Sequence, residues 1–486
     1  MAAKNTMLVL TLALSVAFST RGAMAGSIGM NWGRVSAQRL IPSMVVDLLL
    51  QNNISAARVY TSQEDILKAF AGSGIQLCVG IFQTSVVSSI DTARQWVRTR
   101  SPYLNVSNVR YVVMGNELFK DGLTNKTVMD TAITAMQNVQ LALNEAGYGE
   151  QIKVTIGMTE AAFKFNMTKP SLAEFNEEMR AEINRTIDIL RTNRSPLFLE
   201  MFPISFVTEN TFLNPEFAFM DGKSSIVIND NGKIYTNAVE FLYDSYLWAM
   251  TKYGAGDIEL VIGNVGWPTD GYPGANTSTA ERFYKTFLPW VASNRGTPMA
   301  PGRSINAFLN SLADENRMPY KYPFSRHWGI YTSYGDPKYK IDLSGQGRDI
   351  FPTTAKGIMR MPERWCVFDG NLTDMTLVNK HFQFACSKAD CTSLAPGGSC
   401  SQLTFMQNVS YAFNMYFQSK FQDEDACDFE GLGRVITDNP TVGGCIFPVE
   451  VVKGQQDMGK NGGNQINRFT KTSVFFMSLF WALLLN

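Results

Sequence analysis

The chain has 486 residues, 45% of them hydrophobic, which is enough for a sizeable core and for more than one domain. Its 43 Lys and Arg balance 43 Asp and Glu, so the formal net charge is zero. That balance removes any electrostatic reason to expect nucleic acid or another polyanion as a partner.

The N-terminus carries Lys4, the apolar run Met7–Phe18 and the small-residue pattern Ala23-Met24-Ala25. This is the build of a secretory signal peptide over 1–25, with the mature chain starting at Gly26. Beyond it, short apolar runs alternate with longer helical stretches. The runs are Ile28–Asn31, Ala57–Tyr60, Gln76–Ile81, Val109–Met114, Ile152–Ile156, Leu197–Met201, Ile258–Ile262 and Ile305–Leu309. Eight strand and helix units over 26–345 predict an α/β fold, a closed (β/α)8 TIM barrel whose active site forms at the C-terminal strand ends. A doubly wound open sheet fits less well, because no Gly-x-Gly-x-x-Gly turn follows the first strand.

Two strand ends carry the chemistry. Val109–Met114 runs into Gly115-Asn116-Glu117, and Ile258–Ile262 runs into Gly263-Asn264-Val265-Gly266-Trp267-Pro268. A carboxylate at each of two strand ends is the minimum machinery for glycoside cleavage, since one protonates the leaving oxygen and the other attacks or activates water. Glu117 supplies the first. Asn264 stands in the place of the second and has neither charge nor nucleophilicity. Glu200 and Glu160, at neighbouring strand ends, are the candidate substitutes, whereas the odd offset of Glu259 from Asn264 is expected to point it out of the barrel. Tyr60, Trp267 and Glu315 are further candidates for contact with substrate.

The segment 346–364 is polar, with glycines and prolines, and reads as a linker. Cys366, Cys386, Cys391, Cys400, Cys427 and Cys445 crowd the adjoining module, 365–447. An even set in a short exported segment implies a disulfide framework, with 15 connectivities open to six cysteines. His381 alone does not turn that set into a zinc site, and neither a metal nor a cofactor is expected. Cys78, inside the third strand run, reads as a buried free thiol.

After a spacer over 448–461 come the small residues Asn461-Gly462-Gly463, a polar stretch and the apolar tail Ser473–Leu485. The tail is shorter than the roughly 20 residues of a membrane-spanning helix. Together these form the signal for a GPI anchor, with lipid added at Asn461 and 462–486 removed. The expected location is the cell surface, at the outer plasma membrane and cell wall, and the expected state is monomeric. Sequons at Asn53, Asn105, Asn125, Asn166, Asn184, Asn193, Asn276, Asn371 and Asn408 agree with export.

The opening Ser27-Ile28-Gly29-Met30-Asn31-Trp32-Gly33, with Arg58-Val59-Tyr60, Gly115-Asn116-Glu117, Gly266-Trp267-Pro268, Asp314-Glu315-Asn316 and Arg326-His327-Trp328-Gly329, resembles glycoside hydrolase family 17. These are the plant-type endo-1,3-β-glucanases, and the resemblance spans roughly 26–345. It implies hydrolysis of β-1,3-glucan with Glu117 as proton donor and Asn116 hydrogen-bonded to the sugar 2-hydroxyl. It also implies a nucleophilic glutamate three residues before Trp267, where this chain has Asn264. Departures gather nearby: the family's Asn-x-Tyr-Pro segment is Glu200-Met201-Phe202-Pro203, and the Phe before Asp-Glu is Ala313.

Trp365-Cys366-Val367, Asp390-Cys391, Gly397-Gly398-Ser399-Cys400, Asn408–Asn414 and Cys427-Asp428-Phe429 resemble carbohydrate-binding module family 43. That resemblance implies β-1,3-glucan binding, with Tyr411, Phe413, Tyr416 and Phe417 as aromatic faces, half of which a helix would turn inward. Two functions are expected from these features. One is a membrane-anchored endo-1,3-β-glucanase acting on cell-wall β-1,3-glucan (callose). The other is a catalytically silenced, GPI-anchored glucan-binding protein that tethers the wall.

Overall fold

The structure, a computed structural model, describes residues 26–452 apart from 38–39, 123–124, 320–322 and 371–373. The expected signal peptide, Asn371, and the GPI region with Asn461 lie outside the described residues.

Among these residues eight parallel strands close into a barrel. They are β1 (Ile28–Trp32), β2 (Ala56–Val59), β3 (Gln76–Ile81), β4 (Val109–Met114), β5 (Lys153–Met158), β6 (Leu197–Met201), β7 (Leu260–Val265) and β8 (Ala307–Leu309). Each pairs with its neighbours in sequence, and β8 returns to β1 with Ile28 opposite Ala307. These are the runs expected from the sequence. The alternation of the strands explains their all-apolar look. One set of side chains packs on surrounding helices such as Lys126–Glu145 and Ala238–Lys252, and the other fills the barrel.

The interior is layered. Ala56, Cys78, Val113, Phe198, Val261 and Phe308 form an apolar layer, and burial pushes the Cys78 thiol up to about 12. One step toward the C-terminal strand ends the interior turns polar, with Asn31, Arg58 and Glu200 all fully or almost fully buried.

The module beyond the barrel is built on β9 (Trp365–Phe368), antiparallel to β10 (Gly433–Ile436), and on helices Met375–Lys388 and Phe405–Ser419. Among the described residues three disulfides staple it: Cys366–Cys427, Cys386–Cys391 and Cys400–Cys445. It holds apolar clusters of its own, one around Phe413, Phe417 and Phe429 and one around Trp365, Tyr411 and Phe447.

The segment 346–364 runs along the barrel: Thr353 N–H donates to Asn52 Oδ1 (2.9 Å) and Ala355 N–H to the Gly335 carbonyl (2.9 Å). The module then seats on the loops after β7 and β8. Asp270 accepts from Ser393 Oγ (2.8 Å), Ser399 N–H (3.0 Å) and Ser399 Oγ (2.6 Å). Asp390 pairs with Arg326 Nη1 (2.9 Å) and His327 Nε2 (3.1 Å).

Candidate active site

β4 is followed by Gly115 at φ +62°, and Glu117 comes two residues later at φ +48°, in the left-handed region that residues with a Cβ seldom occupy. A Cβ on Gly115 would meet the Leu118 side chain, so this turn requires glycine. The turn sets Asn116 and Glu117, both half-buried, at the barrel mouth.

Asn264 reaches the mouth by a different device. Val261 is opposite Phe198 and Ile262 opposite Leu199, but Asn264 is opposite Glu200, so Gly263 is an extra residue in β7. Strand alternation counted from the inward Val261 would send Asn264 out of the barrel. The bulge at Gly263 turns it inward. There its Oδ1 accepts from Asn31 Nδ2 (2.9 Å), which also reaches the Gly263 carbonyl (3.1 Å).

Beside Asn264 lies a buried charge pair. Arg58 Nη1 donates to the Gly263 carbonyl (2.7 Å), and Nη2 stands 3.7 Å from Glu200 Oε1. Both Glu200 carboxylate oxygens lack a hydrogen-bond partner among the described residues. Burial pushes the Glu200 carboxyl up to about 7, Arg58 opposes that shift, and Glu117 and Glu160 add to it. Gly157 makes the room, because a Cβ there would lie 2.7 Å from Glu200 Oε1. Tyr60 caps the group, its ring centroid 5.1 Å from the Arg58 guanidinium carbon. Glu160 is solvent-accessible at the end of β5, and its carboxyl is raised first by desolvation and then by Glu209 and Glu117.

Several sequence expectations change. Trp267 is a core wedge and offers no face to sugar: its Nε1 donates to the Gly274 carbonyl (3.2 Å) and Thr279 Oγ1 (3.1 Å). Its ring lies 4.7 Å from Phe219 and 5.4 Å from Phe283. Tyr411 is likewise buried, packed 5.3 Å from Phe447, and Phe413 and Phe417 turn inward with it. The aromatic pair that reaches solvent on the module is half-buried Tyr416 with Phe384, 5.2 Å apart.

Glu315 spends Oε1 on the Val35 N–H (2.9 Å), clamping the loop after β1, and its carboxylate fills the space over Gly33. Glu259 is kept from the site by level and not by side. It lies at the N-terminal end of β7, where its Oε1 accepts from Asn306 Nδ2 (3.1 Å). Sequence reasoning missed Asn31 and the role of Arg58, whose signal was a polar residue at an inward position of a buried strand. Among the described residues no group of His, Cys, Asp or Glu is placed to hold a metal ion.

The model of Glycosyl hydrolases family 17 matches residues 28–343, and that of the X8 domain matches 364–434. Glucan endo-1,3-beta-glucosidase 8 of Arabidopsis thaliana is 36% identical over 456 residues, covering 92% of this chain and 94% of the relative. Glucan endo-1,3-beta-glucosidase 5 of the same plant is 37% identical over 433 residues, covering 87% and 88%. A solved beta-1,3-glucanase and pollen allergen of Cryptomeria japonica superposes with a TM-score of 0.62 at 28% identity, covering 65% of this chain and 99% of that one.

Proposed function

The chain belongs to glycosyl hydrolases family 17, and from that premise we propose that it is a glycoside hydrolase of the glucan endo-1,3-beta-glucosidase type whose turnover is held low by Asn264. The carrying observation is the bulge that aims residue 264 into the mouth, where Asn31 Nδ2 already donates to its side-chain oxygen. A carboxylate there would receive the same hydrogen bond and serve as nucleophile. An amide receives it and cannot attack the anomeric carbon.

Glu117 is the proton donor in this reading, and Asn116 beside it orients the sugar. In this reading Glu200 does not replace the nucleophile, because it is fully buried beside Asn264 and paired with Arg58. The experiment is reducing-sugar release from a soluble β-1,3-glucan by the native chain and by Asn264→Glu. The variant is expected to be faster by orders of magnitude.

The second reading, a glucan-binding protein that tethers the wall, draws on the same amide at position 264 and on the X8 module with its exposed Phe384 and half-buried Tyr416. It predicts retention on insoluble β-1,3-glucan, and equal retention on cellulose would remove the selectivity. The signal peptide and the residues around Asn461 support a GPI-anchored place on the outer plasma membrane. Phosphatidylinositol-specific phospholipase C is expected to release the protein from intact cells, and persistent attachment would point to another anchor.

A further inference from the structure

Arg58 brings a permanent positive charge into the barrel with 1% of its surface exposed, and a charge so placed needs an anion. Position 264, one residue beyond the carbonyl that Arg58 holds, supplies only a neutral amide whose oxygen is taken by Asn31. The neighbouring strand supplies the anion. Glu200 is the register partner of Asn264, so the two side chains leave adjacent strands, about 4.8 Å apart, on the same side of the sheet. Its Oε1 is 3.7 Å from Arg58, and it is the one carboxylate paired with Arg58 among the described residues.

A carboxylate with no hydrogen-bond donors, buried in a space that Gly157 leaves open, is held there by the guanidinium alone. The other titratable groups facing this pair are Glu117, Glu160, Tyr60, Cys78 and Tyr246. The first two repel Glu200. Burial keeps the two phenols and the thiol uncharged.

We propose that Glu200 carries, from β6, the single negative charge that Arg58 requires beneath the mouth, so that positions 200 and 264 hold one ionised carboxylate between them. Asn264 is tolerated because Glu200 is present. The inference rests on the reading of 264 as the vacant carboxylate position, and it deepens that reading. Glu200 acts through the charge it sets at its neighbour, so it is a positioning residue.

Placing glutamate at 264 while Glu200 remains would set two carboxylates beside one guanidinium. Each would oppose ionisation of the other. Neutralising Glu200 in the same chain would leave Arg58 to the new carboxylate alone.

The test uses the full chain in four forms: native, Asn264→Glu, Glu200→Gln and the double variant. Two readouts are taken, the rate on a soluble β-1,3-glucan against pH and the melting temperature against pH. In the rate profile, the limb that reports ionisation of Glu at 264 is expected to lie about one pH unit or more higher in the single variant than in the double. At about pH 6 the double variant is then expected to be about tenfold faster.

In the melting profile, a carboxyl raised in the folded state contributes stability that is present below its unfolded value and is lost as pH rises toward its folded value. Between about pH 5 and pH 8, Asn264→Glu is therefore expected to lose melting temperature more steeply than the native chain, and the double variant less steeply than Asn264→Glu. Coincident profiles for the single and double variants would overturn the proposal. If neither turns over, the reading of 264 as the missing nucleophile fails, and the melting profiles still decide whether the charge is shared.

Discussion

Glu117 stands at φ +48°, a backbone that costs a residue with a Cβ on the order of 1–3 kcal/mol and that persists only where its surroundings enforce it. What the strain achieves is placement, since it turns the carboxyl into the mouth immediately after a buried strand. If that carboxyl donates the proton, Glu117→Gln in the Asn264→Glu background is expected to lower the rate by about 10²–10⁴-fold, measured on a glucan with an unactivated leaving group. An unchanged rate would remove Glu117 from the mechanism. The positions of Glu117 and Asn264 were legible in the sequence because an acid or amide closing an apolar run is an uncommon pattern. Trp267 and Tyr411 were not, because an aromatic ring reads the same whether it meets sugar or core, and only packing separates the two. Arg58 was visible as part of a motif, but its need for Glu200 is a relation between β2 and β6 that no local pattern carries.

At the scale of the element, β7 decides which way residue 264 faces. The expected strand, Ile258–Ile262, has no bulge, and without one, alternation counted from the inward Val261 would point residue 264 away from the barrel interior. The extra residue is glycine for a steric reason, since a Cβ at 263 would sit 2.8 Å from the Phe198 ring, with that ring packed in the barrel interior. Gly263→Ala is expected to cost about 1–3 kcal/mol through overpacking, read by denaturant unfolding, and to lower glucan turnover in a chain that carries Glu at 264. A variant of native stability and full turnover would show that the bulge does not need this residue. The eight strands themselves were readable because each is an apolar run of ordinary strand length between helical stretches. The bulge was hidden because it changes register without changing composition.

For the whole molecule, the junction between barrel and module is the feature the sequence did not show. The chain reads as two domains and a linker, yet Asp390 reaches from the module to Arg326 and His327 on the loop after β8. Burial alone would depress the His327 imidazole, but Asp390 and Asp314 push it up to about 10. Burial opposes ionisation of Asp390, and His327 and Arg326 overcome it, holding that carboxyl well below its usual range. The two shifts act at opposite ends of the pH scale. The histidine contribution is fully present below its unfolded value near 6.5 and is lost as pH rises toward about 10. The aspartate contribution is present above the usual carboxylate range and is lost as pH falls through its depressed value.

Asp390→Ala removes the carboxylate that Arg326 and His327 share across the junction and is expected to cost about 3–5 kcal/mol of docking. Calorimetry checks it, with one transition expected for the native chain and separate transitions for barrel and module in the variant. Trp328, next to His327, packs 5.1 Å from Phe202 at the mouth, so the docked module also braces the loop that borders the site.

Whether residue 264 is the vacant nucleophile position is decided by reducing-sugar release from a soluble β-1,3-glucan. The chains compared are the native one, Asn264→Glu, and Asn264→Glu with Glu200→Gln, each at its own optimum pH. The native rate is expected to lie below that of the restored chains by on the order of 10⁴-fold or more, the usual cost of a missing covalent nucleophile. Native turnover equal to that of the restored chains would refute the vacancy at 264. It would mean that a group other than residue 264 completes the reaction opposite Glu117.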